Sequence, residues 1–428
     1  MQETIRYIIQ FLLHGNDHLI SQVGYTNDVS HFDKYRVVIK PSRFFDDDFY
    51  GTPQSAPQLP LATIEGTPLL YGKPQIERYN QTLIVEADII ASSYFLLSRY
   101  EESINRTEHR DEHGRFLGKE STPYKAHFIT RPIVDEYGKI LRLWLRENGC
   151  EVSEPVENYN QIILTHDVDS VAHFRHTRGT LGGITRSLLK KGYPLKIVIQ
   201  SLFSLEKDPA YTFPWLLKQN AKVKEAHTIF FVKAVKKGTK FDYPHYQLTG
   251  CDAKHLLELA ADHHCEIGLH ASYASGEELT RLISEQKRLE KVIGKPIISN
   301  RHHYLRSLQA EDMGMLMGAG ITDDYTLGYA DIAGFRLGTC RPIQWINPAT
   351  RRVTKLKLHP LTVMDCTLSN TNYMNLDYES ALHYVEQLLM QTKKHGGDVI
   401  LLWHNTSIDG NKNYHAALYT EIIKQLAQ

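Results

Sequence analysis

The sequence is poor in cysteine, and the few cysteines are scattered. Five occur in 428 residues, Cys150, Cys251, Cys265, Cys340 and Cys366, and no pair has the C-x-x-C spacing. The odd number and wide spacing disfavour a structural zinc knuckle or a disulfide framework. Reduced thiols in a cytoplasmic protein are therefore expected.

Long apolar runs and an excess of either charge are also missing. Lys plus Arg and Asp plus Glu both number 49, so the formal net charge is zero, which argues against a broad basic surface for nucleic acid. The first 20 residues are interrupted by Glu3 and Arg6 and lack a small-residue cleavage site, and no stretch approaches the roughly 18 apolar residues that would span a bilayer. We predict a cytoplasmic protein with no membrane span and no nucleic-acid partner.

The length and one polar segment predict two domains. A chain of 428 residues exceeds one ordinary domain. An amphipathic helical pattern over 134–148 is followed by the polar, proline-containing segment 149–160. We predict a smaller N-terminal α/β domain of unknown role over 1–155 and a second domain over 156–428.

The second part alternates short apolar runs with longer helical patterns. Such alternation indicates an α/β fold with a mainly parallel sheet. The apolar runs number about seven, which fits a (β/α) barrel, complete or one strand short. A flat doubly wound sheet is the alternative.

Polar residues follow these apolar runs at the points where strands should end. Because the C-terminal ends of parallel strands share one face, they should meet in one site. They are His166, Asp167, Asp169, His270, Arg301, His302, His303, Asp323, Asp324 and His404.

Two carboxylates lead this group. Residues two apart on a strand end point the same way, so Asp167 and Asp169 can face one cavity. One could bind a divalent metal while the other acts as a base. An ordinary acidic loop is the alternative. His270, one of 22 histidines, could equally be a hydrogen-bonded core residue.

The later motifs contain an arginine that could orient a carboxylate and a histidine that could act as an acid. Adjacent histidines point to opposite sides of an extended segment, so at most one of His302 and His303 should enter the site. Arg301 could orient a carboxylate through a charge-assisted pair. His404 could act as a general acid, and Trp403 could pack in the core or stack on a sugar.

The order "THDVD", "EIGLH", an arginine loop and "LLWHN" resembles the polysaccharide deacetylases, carbohydrate esterase family four, in a divergent bacterial branch with an extra N-terminal domain. The resemblance covers roughly residues 156–428 and implies an irregular seven-stranded (β/α) barrel. It also implies metal-dependent removal of an acetyl group from an N-acetylated sugar or polysaccharide precursor, by hydrolysis of a C–N bond other than a peptide bond.

The resemblance also implies roles for individual residues. Asp167 matches the catalytic base, Arg301 the arginine that holds it, and His404 the histidine that protonates the leaving group. Asp169 and His270 match metal ligands, and the metal would be zinc, or else cobalt, manganese or nickel.

The sequence departs from the family at the second histidine ligand. The position four residues after His270 is Ala274. We expect His303 to replace the missing ligand, with His166 as the second choice. The departure leaves open a catalytically silent glycan-binding or scaffold protein, and a related hydrolase of a non-sugar amide remains a further alternative.

Three residues beside these motifs are predicted to contact substrate: His166, Tyr273 and Trp403. The predicted partner is an N-acetylated sugar or glycan. Homo-oligomerisation is left open.

Overall fold

The computed structural model describes residues 1–408 and 413–428. Its first part holds a four-stranded sheet of order β1-β2-β6-β5, parallel except for β5, and a separate antiparallel pair, β3-β4. The helices and strands of this part are α1 (Gln2–Leu13), β1 (Val23–Tyr25), β2 (Val37–Ile39), β3 (Ala62–Ile64), β4 (Thr67–Leu69), β5 (Gly72–Tyr79), β6 (Thr82–Ala87), α2 (Ile89–Leu97), α3 (Tyr100–Ile104), α4 (Thr122–Lys125) and α5 (Ile133–Glu147).

Helix α5 carries the apolar stripe expected from its sequence. Ile133, Tyr137, Leu141 and Trp144 recur at helical spacing and are buried. At Gly138 a Cβ atom would lie 2.7 Å from the backbone oxygen of Leu12, so glycine lets α5 approach α1 closely. Burial of these faces builds one core.

The second part forms a nine-stranded sheet of order β12-β13-β11-β10-β9-β8-β7-β15-β14. Neighbouring strands are parallel except for the antiparallel pair β12-β13. The strands are β7 (Gln161–Val168), β8 (His227–Val232), β9 (Glu266–Ala271), β10 (Ser299–His302), β11 (Asp323–Asp324), β12 (Ile343–Asn347), β13 (Arg352–Leu358), β14 (Val363–Met364) and β15 (Asp398–Leu402).

Helices alternate with these strands as a parallel sheet requires. The mixed α/β architecture is therefore as predicted, but the sheet has nine strands instead of seven, and the seven-stranded barrel is not confirmed. The helices are α6 (Thr177–Leu188), α7 (Leu195–Phe203), α8 (Phe213–Asn220), α9 (Cys251–Asp262), α10 (Leu279–Ile293), α11 (Met313–Ala319), α12 (Asp365–Ser369), α13 (Tyr378–Lys394) and α14 (Asn413–Leu426).

The central strand β7 shows how the two faces of the sheet differ. Ile163 packs with Ile229, Phe231 and Ile400 in a small apolar cluster on one face. The alternate residue Leu164 belongs to the main core on the other face. Asp167 has the parity of Ile163, so it projects from the C-terminal end on the same face as the small cluster.

The predicted boundary at 155/156 falls in a segment without regular secondary structure between α5 and β7. The division into two domains stays a prediction. None of the helices within residues 1–408 and 413–428 has the length and apolar character needed to cross a bilayer.

Candidate functional site

A cavity of about 420 Å³ opens at the C-terminal ends of the central strands. Strands β7, β9, β10 and β15 end next to it, and polar side chains in or just after the last residues of each strand line it. The polar lining residues that matter below are Arg115, Asp167, Asp169, His270, His303, Tyr373 and His404.

Three side chains converge on one point of this cavity. The Nε2 atoms of His270 and His303 lie 3.4 and 3.1 Å from Oδ1 of Asp169. One ligand atom from each of the three lies within 4.8 Å of those of the other two. Both histidines are buried, and Asp169 is half-buried.

The hydrogen bonds behind the two histidines fix which nitrogen faces the centre. Nδ1 of His270 lies 3.0 Å from the carbonyl oxygen of Arg301, which can only accept a hydrogen bond. Nδ1 of His303 likewise lies 3.2 Å from a carboxylate oxygen of Asp242. In the neutral form of both rings Nδ1 therefore carries the proton, and each Nε2 lone pair is left for the centre.

Unpartnered polar atoms mark the same place. Oδ1 of Asp169 and Nε2 of His270 are buried without a hydrogen-bond partner. Buried polar atoms are almost always paired, so two orphans at one point call for a further group. A carboxylate and two neutral imidazoles form a donor set that suits zinc or a similar divalent ion, with a fourth position open. The residues present fit a metal.

Electrostatics keep Asp169 ionised, but they also favour a second proton on His303 while no metal is bound. Burial favours the neutral carboxyl, yet His303, His270 and Lys233 hold the pKa of Asp169 well below its usual value. Burial would also lower the pKa of His303, but Asp169 and Asp242 raise it. A metal ion would compete with that proton, so loading should release it.

An unusual backbone places His303 in the cavity. Tyr304 and Leu305 are both left-handed, with φ of 63° and 51°, which is uncommon for residues with a Cβ. The chain turns directly after His303 and directs its ring to the cavity. His302 is buried but does not line the cavity.

Asp167 is held by an arginine with no solvent exposure. Nη1 of Arg301 donates to Oδ1 of Asp167 at 3.0 Å and to the Thr165 hydroxyl at 2.6 Å. Nε of Arg301 donates to the carbonyl of Tyr325. Oδ2 of Asp167 lies 3.6 Å from Nε2 of His270, so this carboxylate borders the three-residue centre.

His404 also lines the cavity, and it is paired with a buried carboxylate. Its Nδ1 lies 2.7 Å from Oδ1 of the fully buried Asp365, and its backbone N–H donates to Oδ2. Burial would lower the pKa of His404, but Asp365 and Cys366 raise it well above its usual value. Nε2 lies 3.9 Å from Oδ2 of Asp169, so this nitrogen is near the three-residue centre.

Sequence reasoning missed three groups of this site. Asp365 follows the apolar run that ends at Met364, and Lys233 follows β8, so the strand-end rule that singled out Asp167 could have found both. Nζ of Lys233 lies 3.8 Å from Oδ1 of Asp169. Asp242 ends the short 3-10 helix Lys240–Asp242 and does not follow an apolar run.

Two predicted substrate contacts do not lie in the cavity. Both ring nitrogens of His166 are engaged, with the Trp403 carbonyl and with Asn220, because its parity on β7 turns it to the main core. This also excludes it as the third ligand. The indole of Trp403 is fully buried and packs on Tyr419.

Other predicted residues lie beside the cavity. Tyr273 stacks on Phe241, a lining residue, with ring centroids 4.4 Å apart. Asp324 is buried and bonds Asn300, while Asp323 pairs with His359, so neither faces the centre.

One wall of the cavity comes from the first part of the chain. Arg115 is buried and donates to the carbonyl of Tyr304 at 2.7 Å and to the hydroxyl of Tyr373 at 2.9 Å. Its other partner is Asp111. The first 149 residues therefore supply a lining residue.

A known family matches this first part of the chain. Residues 1–149 match a family described as "Family of unknown function (DUF7033)". No curated protein matches the chain.

Several solved structures resemble part of the chain. A structure described as a polysaccharide deacetylase from Mycobacterium smegmatis is 17% identical, with a TM-score of 0.40 over 65% of this chain and 87% of its own. PuuE allantoinase is 10% identical, with a TM-score of 0.39 over 64% and 87%. A CE4 family pseudoenzyme mutant with restored activity is 13% identical, with a TM-score of 0.28 over 65% and 71%.

Proposed function

We propose that the chain is a metal-dependent hydrolase that removes an acetyl group from an N-acetylated sugar or polysaccharide precursor. One observation carries this proposal: Asp169, His270 and His303 converge with two orphaned polar atoms, beside a carboxylate clamped by an arginine and a histidine paired with a carboxylate. A binding surface has no need of a base and an acid beside a metal-type donor set.

Asp169, His270 and His303 would hold the metal, zinc in the first instance. When bound, the ion would polarise the acyl carbonyl and lower the pKa of water. Asp167 takes the proton of the attacking water, and Arg301 keeps that carboxylate aimed at the reacting centre.

His404 serves as the acid. Paired with Asp365, it remains protonated at neutral pH and gives its Nε2 proton to the amide nitrogen, so that the sugar amine can leave. The two ion pairs have different roles. Arg301 pairs with Asp167, the carboxylate that acts as the base, and Asp365 pairs with His404, the histidine that acts as the acid.

The cavity wall supports a sugar amide as the substrate. Phe241, Tyr243, Tyr304 and Tyr373 offer apolar ring faces, and Arg115 adds polar donors among them. Apolar walls with a few directed polar groups are typical of sites for small ligands. We also propose a cytoplasmic setting, with a nucleotide-linked or lipid-linked sugar as the precursor.

A catalytically silent glycan-binding protein is the second candidate. The Lys233 ammonium already lies beside Asp169 and neutralises part of its charge without any metal. A centre in which Lys233 balances the charge of Asp169 could be stable as a hydrogen-bonded network without a metal.

Metal content by elemental analysis separates the two candidates. We expect about one divalent ion per chain. We expect its loss in Asp169→Ala, His270→Ala and His303→Ala, and its retention in the control His302→Gln, whose side chain does not line the cavity. A parent chain that takes up no metal after reloading would point to the silent protein.

Acetate release from an N-acetylglucosamine oligomer tests the chemistry. Asp167→Asn should keep the metal but lose at least about 100-fold in turnover, because general base catalysis contributes that much. Near-normal turnover of this variant would show that Asp167 is not the base.

A further inference from the structure

Helix α7 turns its apolar face outward. Leu195, Ile199, Leu202 and Phe203 recur at helical spacing and are exposed by 37, 45, 43 and 86%. The buried residues of this helix are Val198 and Ser201, so its exposed side is more apolar than its buried side. Such a face is unusual on a protein in water and marks an interaction surface.

Helix α6, which packs on α7, and the turn after it add further exposed apolar side chains. Leu181, Leu188 and Leu189 are exposed by 61, 71 and 60%. The two helices pack closely at Gly183, where a Cβ atom would lie 3.3 Å from Val198. Residues 177–203, called the basic hairpin below, thus carry seven of the nineteen exposed large apolar residues of the described chain.

The charged residues of this segment are all basic. Between Asp169 and Glu206 the sequence holds no acidic residue, in a chain whose net charge is zero. The basic residues in that interval are Arg175, Arg178, Arg186, Lys190, Lys191 and Lys196. All of them except Arg175, which pairs with Asp252, are exposed.

We propose that the basic hairpin docks the protein onto the surface of an anionic lipid bilayer. Exposed leucine, isoleucine and phenylalanine side chains enter the headgroup boundary, while the lysines and arginines around them bind the lipid phosphates. The hairpin lies on the membrane and does not span it.

Charge selects the bilayer over a second copy of the chain. Two such hairpins face to face would bring two sets of like charges together with no acidic partner between them, and like charges at short range repel. An anionic lipid surface supplies the opposite charge and an apolar layer at once.

The basic hairpin borders the cavity. His173, just before α6, lines the cavity, and the Arg178 guanidinium lies 5.3 Å from the ring centroid of Tyr243, another lining residue. Docking would place the cavity mouth near the lipid surface. The substrate would then be a lipid-linked acetylated sugar; this consequence rests on the proposed hydrolase function, whereas docking does not.

Vesicle flotation tests docking on the full chain. The probes are vesicles of phosphatidylcholine alone and of equal parts phosphatidylcholine and phosphatidylglycerol. Two double variants test the two components of the surface: Ile199→Ser with Phe203→Ser, and Lys190→Glu with Lys191→Glu. Val156→Ser with Met390→Ser is the matched control, because these apolar residues are also exposed, by 79 and 60%, but lie elsewhere.

We expect the parent and the control to bind the mixed vesicles and not the neutral ones. Each hairpin variant should lose at least about tenfold in partitioning, because both apolar insertion and charge contribute. Absence of vesicle binding by the parent would overturn the proposal, as would hairpin variants that bind like the parent. A concentration-dependent dimer that is lost in the Ile199/Phe203 variant, without vesicle binding, would assign the face to a second copy.

The docking result stays separate from the catalytic one. Vesicle binding requires no turnover, so binding without acetate release would contradict the proposed hydrolase function and leave docking intact. Acetate release without vesicle binding would contradict docking and leave the proposed hydrolase function intact.

Discussion

At the residue scale, the charge balance of the centre depends on Lys233. Its Nζ lies 3.8 Å from the Asp169 oxygen that faces His270 and His303, and it also donates to the carbonyls of Asp242 and Pro244. The side chain is buried and cannot swing freely into solvent. A divalent ion at the centre would therefore meet a fixed positive charge at short range.

We expect Lys233→Met to bind zinc at least about tenfold more tightly than the parent, because two cations a few ångströms apart repel by more than about 1.4 kcal/mol at a protein-like dielectric. Competition with a chromophoric chelator measures the dissociation constant. The exposed Lys236→Met is the matched control. Equal affinities of parent and Lys233→Met would show that the ammonium does not oppose the metal.

The residues that sequence could predict are those that directly follow an apolar run. Asp167, His270 and His404 belong to this group, and the parallel sheet brings them together for a topological reason. Asp242 could not be predicted in this way, because it reaches His303 from a long loop. The left-handed turn at Tyr304 gives no pattern in the sequence either.

At the element scale, residues 110–116 of the first part of the chain, called the arm, contact the loop that carries His303. The arm is closed by a bridge between Arg110 and Phe116. Arg115 donates to the carbonyl of Tyr304, and Arg306 donates to the carbonyl of His113. These bonds clamp the left-handed segment from both sides.

Arg115→Met should weaken zinc binding about tenfold, because loss of a group that orients a ligand typically costs about 10- to 100-fold in affinity. Chelator competition again gives the constant, with Arg106→Met, whose exposed guanidinium pairs with Glu311, as the control. Unchanged affinity in Arg115→Met would mean that the loop holds its shape without the arm.

Two of the nine strands were not predicted from the apolar runs, and each shows a limit of that pattern. Seven runs predict seven strands, but the run from Lys355 to Met364 contains two, β13 and β14, separated at Pro360. Proline has no N–H for a ladder, so one run becomes two strands. β12 (Ile343–Asn347) was missed because it pairs antiparallel with β13 in a hairpin and so lies outside the alternation of strand and helix.

At the scale of the whole molecule, buried ion pairs join the first part of the chain to the second. Glu102 accepts hydrogen bonds from Arg99 and from Arg336, which lies beyond β11, and all three are buried. Asp135 on α5 accepts from Arg341 at 2.7 Å in the same way. Removing one member leaves an uncompensated buried charge.

Glu102→Gln should therefore lower the free energy of unfolding by about 3 to 5 kcal/mol. Urea unfolding at pH 7 measures it, with the exposed Glu108→Gln as the control. A loss below about 1 kcal/mol, which is the range of surface pairs, would mean that the two parts do not depend on this contact.

The same pair predicts how stability depends on pH. Burial would raise the pKa of Glu102, but Arg336 and Arg99 lower it from 4.5 to about 2. Because the folded pKa is the lower one, the contribution is complete above about pH 5 and is lost as the pH falls toward 2. The side chain introduced by Glu102→Gln cannot titrate, so the stability difference between the parent and this variant should narrow by about 1.4 kcal/mol at about pH 3.5. A stability difference that stays constant from pH 7 to 3.5 would show that folding does not lower the pKa of Glu102. Other groups would then neutralise the two arginines.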